Sequence, residues 1–367
     1  MALAAVLRLL GIGMRAHGAG AARGRAGPPR FRRAAGCGLA VQRPAFGFRG
    51  LCMPASVHAC PCPYVSKASH LAGICSMKDT WPTISLVTPS FNMAGYLDAA
   101  LRSVLDQHYP ALEYFVVDGG STDGSIDIIR SHEARLAGWI SEPDGGMYDA
   151  LNKGFARTSG EIMGWLNADD LHTPWALRLV AEVFAALPQV EWLTTLTPLV
   201  WDAEGKPIAR HETIGFCRRG FLRGENLPGL RVQGATPIQQ ESTFWRRSLW
   251  ERTGGRLDTR WRLAGDFELW ARFFQQAHLH AIEAPIAGFR IHEGQQTASR
   301  LQSYCDEARR ILSLHGGRPS GTWTSHLRMR LLPALPARRM MWKLGLLWPR
   351  PVCRHKGRSG GWQVETI

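Results

Sequence analysis

From Ile84 onward, short apolar runs alternate with stretches whose apolar residues recur every three or four positions. ISLVTPSF (84–91), EYFVVDGG (113–120), GWISEP (138–143) and EIMGWLNA (161–168) read as strands. Between and after them, YLDAALRSVLDQ (96–107), DGSIDIIRSH (123–132), MYDALNKGFART (147–158) and PWALRLVAEVFAAL (174–187) read as helices, the last with Pro174 at its first turn. Strands that are apolar on both faces and alternate with helices predict an α/β fold, a mostly parallel sheet with helices on both sides. Farther along, STFWRR (242–247) predicts a strand. In RWRLAGDFELWARFF (260–274), Phe267, Trp270, Phe273 and Phe274 recur at helical spacing, which predicts core packing rather than a sugar platform.

Ligands of open α/β sheets sit outside the carboxyl ends of the strands. Polar groups gather at those ends: Thr88, Ser90 and Asn92 after the first strand, Asp118 after the second, Asp144 after the third, and Asn167, Asp169 and Asp170 after the fourth. Four strands ending this way on one edge predict a site. Asp169 and Asp170 are adjacent carboxylates with no basic neighbour in sequence, so the fourth strand end expects a cation.

Charge changes the picture less than its total suggests. The net +14 would fit a nucleic-acid binder, but residues 1–78 hold 11 Lys or Arg and no Asp or Glu, and residues 316–367 hold 10 against Glu365 alone. The intervening part carries 23 basic and 29 acidic residues, which removes the support for a nucleic-acid partner. Residues 1–76 are rich in Ala, Gly, Arg and Pro and keep no sustained period, so they predict a disordered or non-native extension, with Met77 as the start of the folded chain. The alternative there is an organelle-targeting segment. The organisation that follows is an extension over 1–76, a catalytic domain over 80–300 and a helical, basic C-terminal segment over 301–367. Five of the eight cysteines fall before residue 77, and Cys217, Cys305 and Cys353 lack metal-ligand spacing; this usage fits free thiols in a reducing compartment. No stretch approaches the roughly 18 apolar residues of a membrane span. The Leu, Met, Trp and basic residues of 327–358 suit the surface of an anionic membrane, against the alternative of a solvated basic tail.

The motifs VTPSFNMAGYLDAALRSVLDQHYP, VVDGGSTDGS, EPDGGMYDALNKG, GWLNADD, QQESTFWRRSLWERTGG and AGDFELWARFF occur in one order over about residues 83–295. Together they resemble the family 2 glycosyltransferases, inverting nucleotide-sugar enzymes of the glycosyltransferase A-type fold, and look most like the bacterial branch that builds surface polysaccharides. The resemblance implies that Pro89, Ser90, Asn92 and Asp118 line the nucleoside pocket, with Asp118 reading the base. It implies that Asp144, Asn152 and Lys153 meet the donor, that Asn167 takes a ribose contact, and that Asp169 holds a metal. His292 matches a His directed at diphosphate or metal, Asp266 matches the catalytic base, and Gln240 and Glu241 flank the acceptor. Two positions depart from the pattern: Asn167 stands where the family has Asp, and Gly265 where it has an acid before the base. Arg246 and Arg247 either bind an anionic acceptor or are solvated.

The chemistry is consistent with that resemblance. Mg²⁺ or Mn²⁺ takes one or two protein carboxylates and fills its shell with phosphate and water, so the expected cation belongs to a metal–diphosphate complex. The expected function is sugar transfer from a UDP, dTDP or GDP donor to a saccharide or lipid-linked acceptor, in the cytoplasm or at the inner face of the membrane. Two rivals remain: a nucleotidyltransferase making a nucleotide sugar, and a non-catalytic nucleotide-sugar binder. The first would need a Gly-rich basic loop that TPSFNMAGY lacks, and Asp266 argues against the second.

Overall fold

Pairing between strands explains how separate polar turns reach one edge. The computed structural model describes residues 81–228, 236–292, 300–319, 348–357 and 360–367. The extension 1–76 and most of 327–358 lie outside the described residues. Strand β1 (Ile84–Ser90) pairs in parallel with β2 (Leu112–Asp118), and β2 with β3 (Gly138–Ser141). Ser90 thereby stands opposite Asp118, and Asp118 opposite Ser141. On the other side β1 pairs in parallel with β4 (Ile162–Trp165), Val87 opposite Trp165, so the turn after β4 leaves by the same edge.

The sheet continues through β9 (Phe244–Arg246), antiparallel to both β4 and β6 (Trp192–Thr195), and then to β10 (Leu279–Ile282), parallel to β6. Side chains alternate between two cores as a period of two requires. Tyr114, Val116, Ile162 and Leu193 join helices α1 (Ala94–Leu105) and α4 (Ala176–Ala186) on one face. Phe115, Val117, Met163 and Trp192 join α3 (Met147–Phe155) and α7 (Gly265–Gln276) on the other. There Trp165 and Trp270 stack with centroids 5.9 Å apart and planes at 8°. The four aromatics of α7 are all buried, so their helical spacing marks core.

A smaller sheet supplies the rest of the site. Strand β5 (Leu171–His172) pairs antiparallel with β11 (Ala287–Arg290), which runs parallel to β7 (Leu199–Trp201). With Leu171 opposite Gly288, the residues before β5 pass the residues that follow β11.

The segment expected to be helical from 301 onward is helical at α8 (Leu301–Leu314) and extended at β12 (Pro351–His355) and β13 (Trp362–Thr366). The reason is burial on alternate sides: Val352 enters one core and Cys353 the other, while β12 adds in parallel to β10. Ahead of it, the buried Arg350 donates to Gly215 O and pairs with the buried Glu225 at 2.9 Å. Among the described residues no helix is long and apolar enough to cross a membrane, and Cys217, Cys305 and Cys353 are buried.

Candidate active site

The β1 end carries a buried Pro89 and a buried Ser90 whose hydroxyl has no hydrogen-bond partner. Asn92 follows in the left-handed region at φ 53°, and its side-chain oxygen accepts the Thr122 N–H at 2.9 Å. That bond ties the first strand end to the loop after β2. Asp118 is fully buried and accepts from Gly120 N, Ser121 N, Ser121 Oγ and Ser141 Oγ. Three of these donors go to Oδ2 and only the Ser121 hydroxyl to Oδ1, so Asp118 braces its own turn while Oδ1 keeps acceptor capacity. Phe91, by contrast, is 58% exposed. Its ring and the Asp144 carboxylate both lie against Gly119, where a Cβ would meet Asp144 at 2.8 Å and Phe91 at 3.2 Å.

Two expected donor contacts are otherwise engaged. The Asn152 carboxamide donates to Leu257 O at 2.9 Å and accepts Leu257 N–H at 2.8 Å, a two-point clasp on a neighbouring loop. Lys153 is held at the rim by Glu142 at 2.9 Å and Asp149 at 3.5 Å. Arg246 and Arg247 sit at the opposite end of the sheet, Arg246 on Glu161 and three carbonyls, Arg247 on Gly160 O. Both are half-buried, and antiparallel β9 puts them beside the start of β4, away from the strand ends that carry the candidate site.

Past β4, the chain brings carboxylates together. The His292 ring lies 3.0 Å from Asp169 through Nε2 and Oδ2, and packs on Tyr96 at 4.1 Å. Asp170 is fully buried and accepts Arg290 N–H at 3.0 Å and the Asn167 amide at 3.2 Å. Burial drives its proton affinity well above the usual carboxylate range, with the charges of Asp169 and Glu241 adding. The Arg290 guanidinium lies over the Tyr96 ring at 5.3 Å and feels both aspartates. Gln240 and Glu241 come from the single 3₁₀ turn Gln240–Ser242, both buried. Burial pushes Glu241 up to about 8, and the negative charges of Asp266 and Asp169 push the same way. Glu241 therefore joins the expected base and the expected metal ligand in one field.

Asp266 opens α7. It keeps part of its surface accessible, yet burial lifts it to about 6 against the backbone N–H of Phe267 and the hydroxyl of Tyr304, which favour its charged form. A base that changes charge near neutrality is suited to taking a proton in a working enzyme.

The residues present fit a divalent cation bound with a diphosphate. Asp169 offers the hard oxygen that Mn²⁺ and Mg²⁺ sites share with phosphate and water, and His292 beside it offers an imidazole, a ligand that suits a transition metal better than Mg²⁺. Among the described residues no group of three or more such ligands could hold the ion unaided. The surrounding buried atoms without partners are mostly acceptors: Asn167 Oδ1, Gln239 Oε1, Gln240 Oε1 and Glu241 Oε1. Buried polar atoms cost free energy unless paired, and acceptors call for hydroxyl donors or a cation.

The family described as Glycosyl transferase family 2 matches residues 85–220. Over 188 residues the chain is 32% identical to the uncharacterized glycosyltransferase Rv1514c of Mycobacterium tuberculosis, covering 51% of this chain and 67% of that protein. The chain belongs to the family 2 glycosyltransferases. This glycosyltransferase is also 37% identical over 92 residues to TuaG of Bacillus subtilis, a putative teichuronic acid biosynthesis glycosyltransferase, covering 24% of this chain and 36% of that one. Staphylococcus aureus TarS 1–349, solved with UDP-GlcNAc, superposes with a TM-score of 0.49 at 15% identity, over 72% of this chain and 79% of that one. The family match contains Ser90, Asp118 and Asp169 and stops before Glu241, Asp266 and His292. The contacts and charges described above join those three to the candidate site. Sequence patterns pass over Phe91, Gln239, Arg290 and Tyr304, since each reaches the site by a turn or a partner distant along the chain. An exposed Phe inside TPSFN is the one that a polar-to-apolar break at a strand end signals.

Proposed function

We propose that this glycosyltransferase is inverting and moves a hexose or related sugar from a nucleotide-sugar donor to a saccharide or lipid-linked acceptor, assisted by Mg²⁺ or Mn²⁺. The observation that carries this reading is the set of buried, unpartnered acceptors around Asp169, Glu241 and Asp266. A sugar is a cluster of hydroxyl donors, and it satisfies such a set where an apolar ligand would not.

In this arrangement Phe91 offers an apolar face to the base, and Ser90 and Asn167 offer hydrogen bonds to the ribose. Asp169 and His292 would hold the ion, which when bound supplies positive charge to the departing diphosphate. Gln239 and Gln240 orient the sugar ring, while the buried, protonated Glu241 avoids adding a further negative charge. Asp266 accepts the proton of the acceptor hydroxyl as that oxygen attacks the anomeric carbon from the face opposite the leaving group, which inverts the configuration. A role in polysaccharide synthesis is supported by the likeness to TuaG, a putative teichuronic acid biosynthesis glycosyltransferase. Of the basic, apolar segment 327–358, the part before Trp348 is the proposed contact with the inner face of the membrane, since Trp348, Arg350, Val352 and Cys353 are buried.

Incubating the protein with UDP-glucose, UDP-N-acetylglucosamine, dTDP-rhamnose and GDP-mannose, with Mn²⁺ or Mg²⁺, tests this. Release of nucleoside diphosphate is the expected outcome. Formation or consumption of pyrophosphate would instead indicate a nucleotidyltransferase, and binding without turnover would indicate a binding protein.

A further inference from the structure

We propose that Tyr304 is a positioning residue for Asp266, so that α8, far along the chain from the strand-end motifs, is a working part of the catalytic centre. This rests on the reading of Asp266 as the base. The Tyr304 hydroxyl lies 3.1 Å from one Asp266 oxygen and 3.2 Å from the other, so a single donor restrains the whole carboxylate. Its one hydrogen leaves acceptor capacity on both oxygens for an incoming hydroxyl.

Neighbouring contacts serve the same end. Glu307, one turn farther along α8, accepts Arg262 N–H at 3.2 Å, Leu263 N–H at 2.9 Å and Ala264 N–H at 2.9 Å. The approach to α7 has no side-chain cap of its own, and α8 supplies the missing acceptor from outside. Tyr148 completes the frame: its hydroxyl donates to Leu263 O at 2.8 Å and lies 3.4 Å from Asp266 N. Gly265 makes that packing possible, because a Cβ there would stand 2.6 Å from the Tyr148 ring. An acid at 265 would displace the ring, so this chain frames its base with two phenols instead.

The groups facing Asp266 are Tyr304 and Glu307 from α8, Tyr148 from α3 and Glu241 from the 240–242 turn. Burial holds both phenols protonated, so they act on the carboxylate as donors, and burial keeps Glu241 protonated where Asp266 titrates. Tyr304, at 3.1 and 3.2 Å against 3.5 Å for Tyr148, is the closer of the two phenol donors that favour the charged form of Asp266, so its removal should raise the proton affinity of the base.

The test follows Asp266 directly in the full chain. In protein labelled with [4-¹³C]aspartate, the carboxyl resonance absent from Asp266→Asn is titrated in wild type and in Tyr304→Phe. Its midpoint should rise by about one pH unit in Tyr304→Phe, the consequence of losing a hydrogen bond to a charged group. Diphosphate release from whichever of UDP-glucose, UDP-N-acetylglucosamine or GDP-mannose is turned over should show the acid limb of kcat moving up equally. At the wild-type optimum kcat should fall roughly tenfold with donor KM unchanged. An unmoved midpoint, with Asp266→Asn inactive, overturns the proposal and leaves the base assignment standing. Turnover retained in Asp266→Asn removes the base assignment itself. If Tyr304→Phe does not fold, 3-fluorotyrosine at 304, a stronger donor, should lower the midpoint, and no change there is equally fatal.

Discussion

Asp169 and His292 are separated by more than a hundred residues and meet at 3.0 Å because β5 and β11 run antiparallel. Replacing Asp169 with Ala should remove the hard ligand and weaken metal-dependent donor binding by roughly 10²-fold, a few kcal/mol of lost charge stabilisation. Titrating a UDP-sugar by calorimetry with and without Mn²⁺ checks this: the variant should bind alike in both, as should wild type in excess chelator. Much of this chemistry was legible residue by residue, since an acid pair after an apolar strand predicts a site whatever the surrounding fold. Asp118 shows the limit. Its sequence context fits both a base contact and a turn, and only the structure shows that the turn takes three donors on Oδ2 and one on Oδ1. The sequence also could not show that Asn152 clasps Leu257, because that loop arrives from far along the chain.

At the scale of elements, the strands and helices up to α4 follow from hydrophobic period, since each buries a face that its own residues define. The C-terminal strands do not. Pro351–His355 is short and basic, and becomes a strand because β10 offers it a parallel edge. Its anchor is testable. Arg350→Met should take the guanidinium away from the buried Glu225 carboxylate and cost about 3 to 5 kcal/mol. The double change Arg350→Met with Glu225→Met should recover most of that loss. Urea midpoints of the three proteins decide the matter, and equal midpoints for wild type and the single variant would detach this segment from the core. Within the α7 face, Trp270→Ala should cost about 3 to 5 kcal/mol through the cavity left among Trp165, Trp192 and Trp245.

Across the whole molecule, the site makes stability depend on pH. Glu241 titrates near pH 8 in the folded state against an ordinary 4.5, so over that window the unfolded chain has lost a proton that the folded chain keeps. Stability should therefore fall as pH rises, by about 2 kcal/mol between pH 6.5 and 8. His172 and His280, held neutral by burial and pushed down to about 4 from 6.5, act on the other side, and their contribution is lost as pH falls through that range. Glu241→Gln should flatten the alkaline fall in thermal midpoint and leave the acid side in place. The acidic character of the middle of the chain was visible in its composition. The concentration of that charge into one buried cluster was not, because Glu241 joins Asp169 and Asp170 only through the packing of the 240–242 turn beside β11.

The most direct measurement is the turnover of Asp266→Asn beside its donor affinity. Asn keeps the shape of the side chain and cannot accept the acceptor's proton. The expected result is a kcat lower by roughly 10²- to 10⁴-fold, the contribution of a positioned general base, with nucleotide-sugar Kd unchanged. His292→Ala, measured in parallel, should instead weaken donor binding. Near-wild-type turnover in Asp266→Asn, together with its abolition in His292→Ala, would contradict the assignment and make the imidazole the base.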